Sequence, residues 1–280
     1  MKVLENRVAV ITGAASGIGK ALAEQLAAAG CRLAISDVNS NDLEALAKAL
    51  RANGHEVHSE KLDVADRQAF YDYAQRVNAH YGQVNLVINN AGVALGATVE
   101  DMTYEDFDWL MGINFWGVVY GTKAFLPFLK EAEEGHIVNI SSVFGLVGIP
   151  TQSAYNAAKF AVRGFTESLR MELEIEGSRV SCSCVHPGGI KTNIARNARM
   201  NDVSHITGAN AEKSIADFEK MFRTTAADAA STIINGVRRN KRRILIGGDA
   251  YAIDTMQRTL PTLYQRLIVN GQKLMRKRQA

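Results

Sequence analysis

Apolar runs and helical periods alternate along the chain. Residues 7–11 form a short apolar run ending at Thr12 and a glycine-rich turn, the pattern of a buried strand. Residues 18–29 have helical composition and stop at Gly30, residues 32–36 read as the next strand, and residues 42–52 as a helix closed by the C-cap pair Asn53–Gly54. The pattern then predicts a strand at 56–62, a helix at 67–80 ending before Gly82, and a short buried strand at 86–88 followed by Asn89, Asn90, Ala91 and Gly92. One long helical region is expected around 104–129, a strand at 136–140, a helix at 153–176, and a strand at 179–185 before His186-Pro187-Gly188-Gly189. A helix at 226–239 and a strand at 243–246 close the series.

Continuously apolar strands separated by helices indicate a parallel sheet covered on both faces. About seven strands are predicted, and the doubly wound, Rossmann-like α/β fold accommodates them. No linker, composition break or repeat divides the chain. The expectation is a single domain at 1–247, with 193–222 as an insertion or lid within it and 248–280 as a basic helical tail.

Composition narrows the class. The 280 residues are 47% hydrophobic and 22% charged, ample apolar material for a core and incompatible with a disordered chain. Four prolines and three cysteines exclude collagen-like and disulfide-scaffold readings. Cys31, Cys182 and Cys184 have no metal-like spacing and read as small buried hydrophobes in a reducing compartment. The expected location is the cytoplasm, since no secretion signal or run of ~18 apolar residues stands out. The net charge of +3 is too small to argue for nucleic acid, but its distribution is uneven: the chain from Arg238 onward carries +9 and the remainder −6. A basic, partly amphipathic tail with Leu260, Leu263, Leu267 and Leu274 could make peripheral contact with an anionic membrane surface.

Gly13, Gly17 and Gly19 lie in T-G-A-A-S-G-I-G, directly after the first strand and opening a helix. Such glycines permit a tight turn and let backbone N–H groups approach a pyrophosphate at a helix N-terminus. Asp37 ends the second predicted strand, where an acid can accept both adenosine ribose hydroxyls and repels a 2′-phosphate. No cation follows at Val38 or Asn39, so NAD is expected rather than NADP. Tyr155 and Lys159 are four apart on a predicted helix and share a face, Ser142 lies just beyond a strand, and Asn114 falls within the long helical region.

Taken in order, T-G-A-A-S-G-I-G at 12–19, L-D-V at 62–64, N-N-A-G at 89–92, Asn114, I-S-S at 140–142, Y-N-A-A-K at 155–159 and H-P-G-G-I-K-T at 186–192 resemble a short-chain dehydrogenase/reductase from about Asn6 to Gly247. The resemblance implies that Tyr155 exchanges a proton with the substrate oxygen, that Lys159 binds the nicotinamide ribose and lowers the Tyr155 pKa, that Ser142 hydrogen-bonds the substrate oxygen, and that Asn114 holds a water linking Lys159 to solvent. Some such tuning is needed, because a free tyrosine titrates near ~10. The resemblance also implies that Gly13, Ser16, Gly17, Ile18, Gly19, Asp37, Asp63, Val64, Asn90, Ala91, Gly92, Tyr155, Lys159, Pro187, Gly189, Ile190 and Thr192 bind the dinucleotide, and that the helices near 107–129 and 153–176 form a homodimer or homotetramer interface.

The expected activity is NAD-dependent interconversion of a hydrophobic secondary alcohol and its ketone. Phe144, Leu146, Val147 and Leu95 are expected to line the pocket, with Ile194, Met200, Ile206, Met221 and Phe222 from the lid, and Arg196 and Arg199 as the nearby cations. Two other functions share the cofactor motif: an NADP-preferring carbonyl reductase, and a non-catalytic dinucleotide-binding sensor or scaffold, which would not require Ser142, Tyr155 and Lys159 together. A sugar-nucleotide epimerase is disfavoured by the glycine spacing, and a serine hydrolase by the lack of G-x-S-x-G. The six histidines form no metal motif and are expected in loops or on the surface, with His205 able to reach the substrate from a closed lid; no metal site is expected.

Overall fold

A computed structural model describes residues 1–208 and 222–279. Seven parallel strands form the central sheet: β1 (Val8–Thr12), β2 (Arg32–Asp37), β3 (Val57–Lys61), β4 (Leu86–Asn89), β5 (Gly135–Ile140), β6 (Val180–Pro187) and β7 (Arg243–Ile246). Their spatial order is β7-β6-β5-β4-β1-β2-β3, so the topology reverses beside β1 and β4. In open α/β sheets ligands bind outside the carboxyl ends of the strands at such a reversal.

The helices are α1 (Gly17–Ala28), α2 (Ser40–Ala52), α3 (Arg67–Tyr81), α4 (Tyr104–Met111), α5 (Gly117–Glu131), α6 (Ser153–Ile175), α7 (Ala226–Arg238), α8 (Gly248–Thr259) and α9 (Leu263–Gln279). Local chemistry sets several of their starts. Asn39 accepts from the Asp42 amide, Asp66 from Ala69, Thr103 from Asp106 and Thr225 from Asp228, each satisfying an otherwise orphaned N–H. α3 stops at Gly82, whose φ of 70° lies in the left-handed region.

The sheet is buried on both sides. Ala9 and Ile11 of β1 pack with Leu22 and Leu26 of α1, Leu46 of α2 and Ile233 of α7. Val8 and Val10 point the other way, into a second core with Phe70 and Tyr73 of α3, Phe125 of α5 and Leu173 of α6. That is why β1 reads as an unbroken apolar run: both sets of side chains leave water, each fully buried Val or Ile contributing ~1.5–3 kcal/mol. All three cysteines are buried, and burial pushes their thiols up to between about 11 and about 12, which suits inert packing residues.

Two expectations are corrected. The helical region 104–131 is continuous but not uniform: Gly112–Trp116 is a π-helical turn inserted between α4 and α5. Among the histidines, His136 and His186 are neither in loops nor on the surface but wholly buried on β5 and β6. His136 Nε2 lies 2.8 Å from Ser183 Oγ, whose own proton goes to the Lys241 carbonyl, so the imidazole donates there. Among the described residues no helix is long and apolar enough to cross a membrane.

Candidate active site

At the end of β1 the chain turns through Gly13 and Gly17, with φ of 65° and 54°, conformations that favour glycine. The turn is packed so closely that a Cβ on Gly19 would collide with the Gly13 carbonyl oxygen, and one on Gly13 would lie 2.7 Å from the Ala91 Cα. Ser16 makes no side-chain cap bond, which leaves the first N–H groups of α1 to an outside acceptor. This backbone cradle fits a pyrophosphate.

Asp37 braces the turn: one carboxylate oxygen accepts from the Ala15 amide at 3.0 Å, the other from the Asn39 amide at 2.9 Å. Asn90 does so from below, its amide donating to the Thr12 and Gly13 carbonyls at 3.0 and 3.1 Å. Thr12, which sequence reasoning passed over, accepts from the Asn90 and Ala91 amides through Oγ1, both at 3.1 Å. Asp63 is exposed and accepts from the Ala65 amide, whereas Val64 is buried and packs on Gly117. Across the cleft, Pro187, Gly189 and Ile190 lead from β6 to Thr192, whose methyl packs over Gly17.

Asn114 sits in the π turn and is wholly buried. Its side chain closes a ring with Val93, accepting from the amide and donating to the carbonyl, both at 2.8 Å. The wider turn matters here, since π turns are rare and occur frequently at functional sites. Gly92 lies against the same group: a Cβ there would meet Asn114 Oδ1 at 3.2 Å and Lys159 Nζ at 3.7 Å.

Tyr155 and Lys159 share one face of α6, with Lys159 Nζ 5.5 Å from the Tyr155 ring centroid and donating to the Ile140 carbonyl at 3.0 Å. Ser142 follows β5, accepts from the Phe144 amide at 3.1 Å and is hydrogen-bonded to Tyr155. Burial pushes the Tyr155 phenol up to about 12, the Ser142 hydrogen bond acting in the opposite direction. Burial also lowers the Lys159 ammonium to about 8. The structure thus brings Asn114, Ser142, Tyr155 and Lys159 together at the carboxyl ends of β4 and β5, beside the glycine turn.

Three further residues lie inside the quoted motifs, and only the structure shows their supporting contacts. Ser141 donates to the Lys159 carbonyl at 2.8 Å and ties β5 to α6. Asn156 holds the loop after Ser142, donating to the Phe144 and Val147 carbonyls and accepting from Ile149. His186 Nδ1 donates to the Ser142 carbonyl at 2.9 Å. Each contact joins residues distant in the chain or pointing away from the motif face.

The pocket expectations are corrected in part. Leu95, Leu146 and Val147 are each 1% exposed and pack inward. Phe144 stands edge-on to Tyr155, ring centroids 6.0 Å apart. Arg199 is engaged, paired with Asp106 at 2.8 Å and stacked over Trp109. Ile194 and Met200 are half-buried and Phe222 is buried, while Met221 and the side chain of His205 lie outside the described residues. Among the described residues no group of three His, Cys, Asp or Glu could hold a metal ion.

The family model for short chain dehydrogenases matches residues 7–202. The chain is 46% identical over 272 residues to the oxidoreductase SadH of Mycobacterium tuberculosis, covering 97% of each. It is 36% identical over 225 residues to a C alpha-dehydrogenase of a Sphingobium species, covering 79% of this chain and 73% of that one. A solved short-chain dehydrogenase/reductase from Burkholderia phymatum, in complex with NAD, matches with a TM-score of 0.86 at 31% identity, covering 94% of this chain and 97% of that one. The chain belongs to the short-chain dehydrogenase/reductase family. Fold, glycine turn and relatives together define an oxidoreductase that binds a nicotinamide dinucleotide.

Proposed function

We propose that the protein interconverts a hydrophobic secondary alcohol and its ketone, with NAD rather than NADP as cofactor. The observation that carries this reading is the contact set Ser142–Tyr155–Lys159 on the rim of the glycine cradle. When bound, the dinucleotide supplies the hydride donor or acceptor. Tyr155 Oη moves the proton to or from the substrate oxygen, and Ser142 Oγ hydrogen-bonds that oxygen as charge develops on it. A buried phenol held near 12 stands protonated at neutral pH, the form that donates to a ketone. Alcohol oxidation needs positive charge beside it, and the Lys159 ammonium is the charge this chain provides.

Asp37 supports NAD, because its carboxylate would face the phosphate that distinguishes NADP. The half-buried Ile194 and Met200, and the engagement of Arg199 by Asp106 and Trp109, favour an apolar substrate over a carboxylate. Unpaired buried cysteines favour the cytoplasm. An outward stripe of α6, Phe160, Gly164, Met171 and Ile175, together with Trp116, supports a homo-oligomer. The outer face of α9 supports a peripheral contact with an anionic bilayer.

An NADH-absorbance screen over aliphatic, aryl and polycyclic alcohols and ketones tests the reaction. Tyr155→Phe should lose turnover by at least ~100-fold while NADH binding stays nearly unchanged. Near-normal kcat in that variant means the proton is handled elsewhere.

A further inference from the structure

The matched family region ends at residue 202, yet two side chains from the last two helices reach back to the loops on either side of the site. α8 begins directly after β7. Asp249, in its first turn, accepts from the Gly189 amide through Oδ2 at 2.7 Å. The carboxylate occupies space that two glycines leave open: a Cβ on Gly188 or on Gly247 would collide with it, and Gly247 has a φ of 92° besides. Gly189 lies in the loop 187–192 that leaves the carboxyl end of β6 and packs Thr192 over Gly17. Negative charge is also favourable in the first turn of α8, next to the positive end of the helix.

The platform behind Asp249 is fixed. Ala250 is fully buried, and Asp254 pairs with Arg243 of β7 at 2.7 Å and with Arg258 at 2.9 Å. One helix later, Tyr264 is 7% exposed, and its hydroxyl oxygen accepts from the Gly148 amide at 3.1 Å. Gly148 lies in the loop 143–151 that follows Ser142 and passes Phe144 against Tyr155. Both loops therefore present a backbone amide to a C-terminal side chain, at sequence separations of 60 and 116 residues.

We infer that the C-terminal helices are a working part of the active site: Asp249 is a positioning residue for the dinucleotide loop 187–192, and Tyr264 one for the substrate loop 143–151. The inference rests on the site reading given under Proposed function. It divides labour between the two contacts. Loss of the Asp249 carboxylate frees the loop that would lie over the dinucleotide, and loss of the Tyr264 hydroxyl frees the loop beside the substrate.

The test uses the full chain and the variants Asp249→Ala, Asp249→Asn and Tyr264→Phe. Amide hydrogen exchange, which needs no turnover, should quicken in 187–192 for Asp249→Ala and in 143–151 for Tyr264→Phe. NADH titration by fluorescence should show about tenfold weaker binding for Asp249→Ala, largely restored in Asp249→Asn, which keeps an acceptor oxygen. Tyr264→Phe should bind NADH as the parent does but raise the KM of an alcohol substrate about threefold at nearly constant kcat. Unchanged exchange in both loops overturns the inference, as does an equal effect of the two substitutions on NADH binding. A parent that binds NADH but oxidises no alcohol sinks the functional reading instead, and leaves the exchange and NADH results standing.

Discussion

The Tyr155 phenol and the Lys159 ammonium are displaced from their ordinary values by the same cause, burial, and in opposite directions. Desolvation penalises a phenolate and an ammonium alike, so the first pKa rises to about 12 and the second falls to about 8. Lys159 was expected to pull Tyr155 down; within this chain the opposing influence on the phenol is its hydrogen bond to Ser142. Asp37 is the residue on which the proposed preference for NAD rests. Replacing it by Asn keeps an oxygen for the Ala15 amide and removes the charge. Asp37→Asn should shift the ratio of kcat/KM for NADP over NAD upward by about tenfold, measured from NADH and NADPH absorbance. An unchanged ratio would show that cofactor choice lies elsewhere.

At the scale of elements, the π turn Gly112–Trp116 joins α4 to α5 without a break and carries the buried Asn114, whose side chain holds Val93. The hydrophobic period of a helix does not announce one extra residue, so a single long helix was the natural expectation. α9 has the opposite character, since its pattern was visible and only its placement was not. Leu263, Leu267 and Leu274 are about half exposed along one side, and no acidic residue follows Asp254 while Arg258, Arg266, Lys273, Arg276, Lys277 and Arg278 do. Each cation near an anionic bilayer contributes ~1 kcal/mol, screened by salt. The protein should co-sediment with phosphatidylserine-containing vesicles at low salt, release at high salt, and ignore phosphatidylcholine vesicles. Failure to pellet under the first condition removes the membrane contact.

For the whole molecule, the two buried histidines tie stability to pH. Burial, more than the neighbouring positive charges, lowers His136 from 6.5 to about 3. Burial likewise lowers His186 from 6.5 to about 4, its hydrogen bond to Ser142 opposing the shift. The unfolded chain takes up protons at these sites as pH falls through ~6.5, whereas the folded protein refuses them until near its own lower values. Their contribution is thus fully present above pH ~6.5 and is lost on acidification from there toward pH 4, at about 1.4 kcal/mol per pH unit per histidine. Urea midpoints measured between pH 7 and 4.5 should fall steadily, and His136→Asn should flatten the decline. A pH-independent midpoint over that range would mean that the imidazoles take up protons in the fold as readily as in the unfolded chain.

The linear order of residues was enough to predict alternating strands and helices, parallel pairing, the glycine turn and, through the resemblance to a known family, the four residues Asn114, Ser142, Tyr155 and Lys159 that the fold brings together. Those features are local: a period of apolar positions, a glycine where φ must be positive, two side chains one helical turn apart. What only the tertiary structure decided are contacts between segments far apart in the chain. The burial of His136 and His186, the Thr12 and Asn90 braces beneath the turn, the inward packing of Leu95, Leu146 and Val147, and the return of α8 and α9 to the active-site loops all belong here. None carries a periodic or compositional mark, because each depends on which backbone amide or carbonyl the fold brings within 3 Å of a side chain.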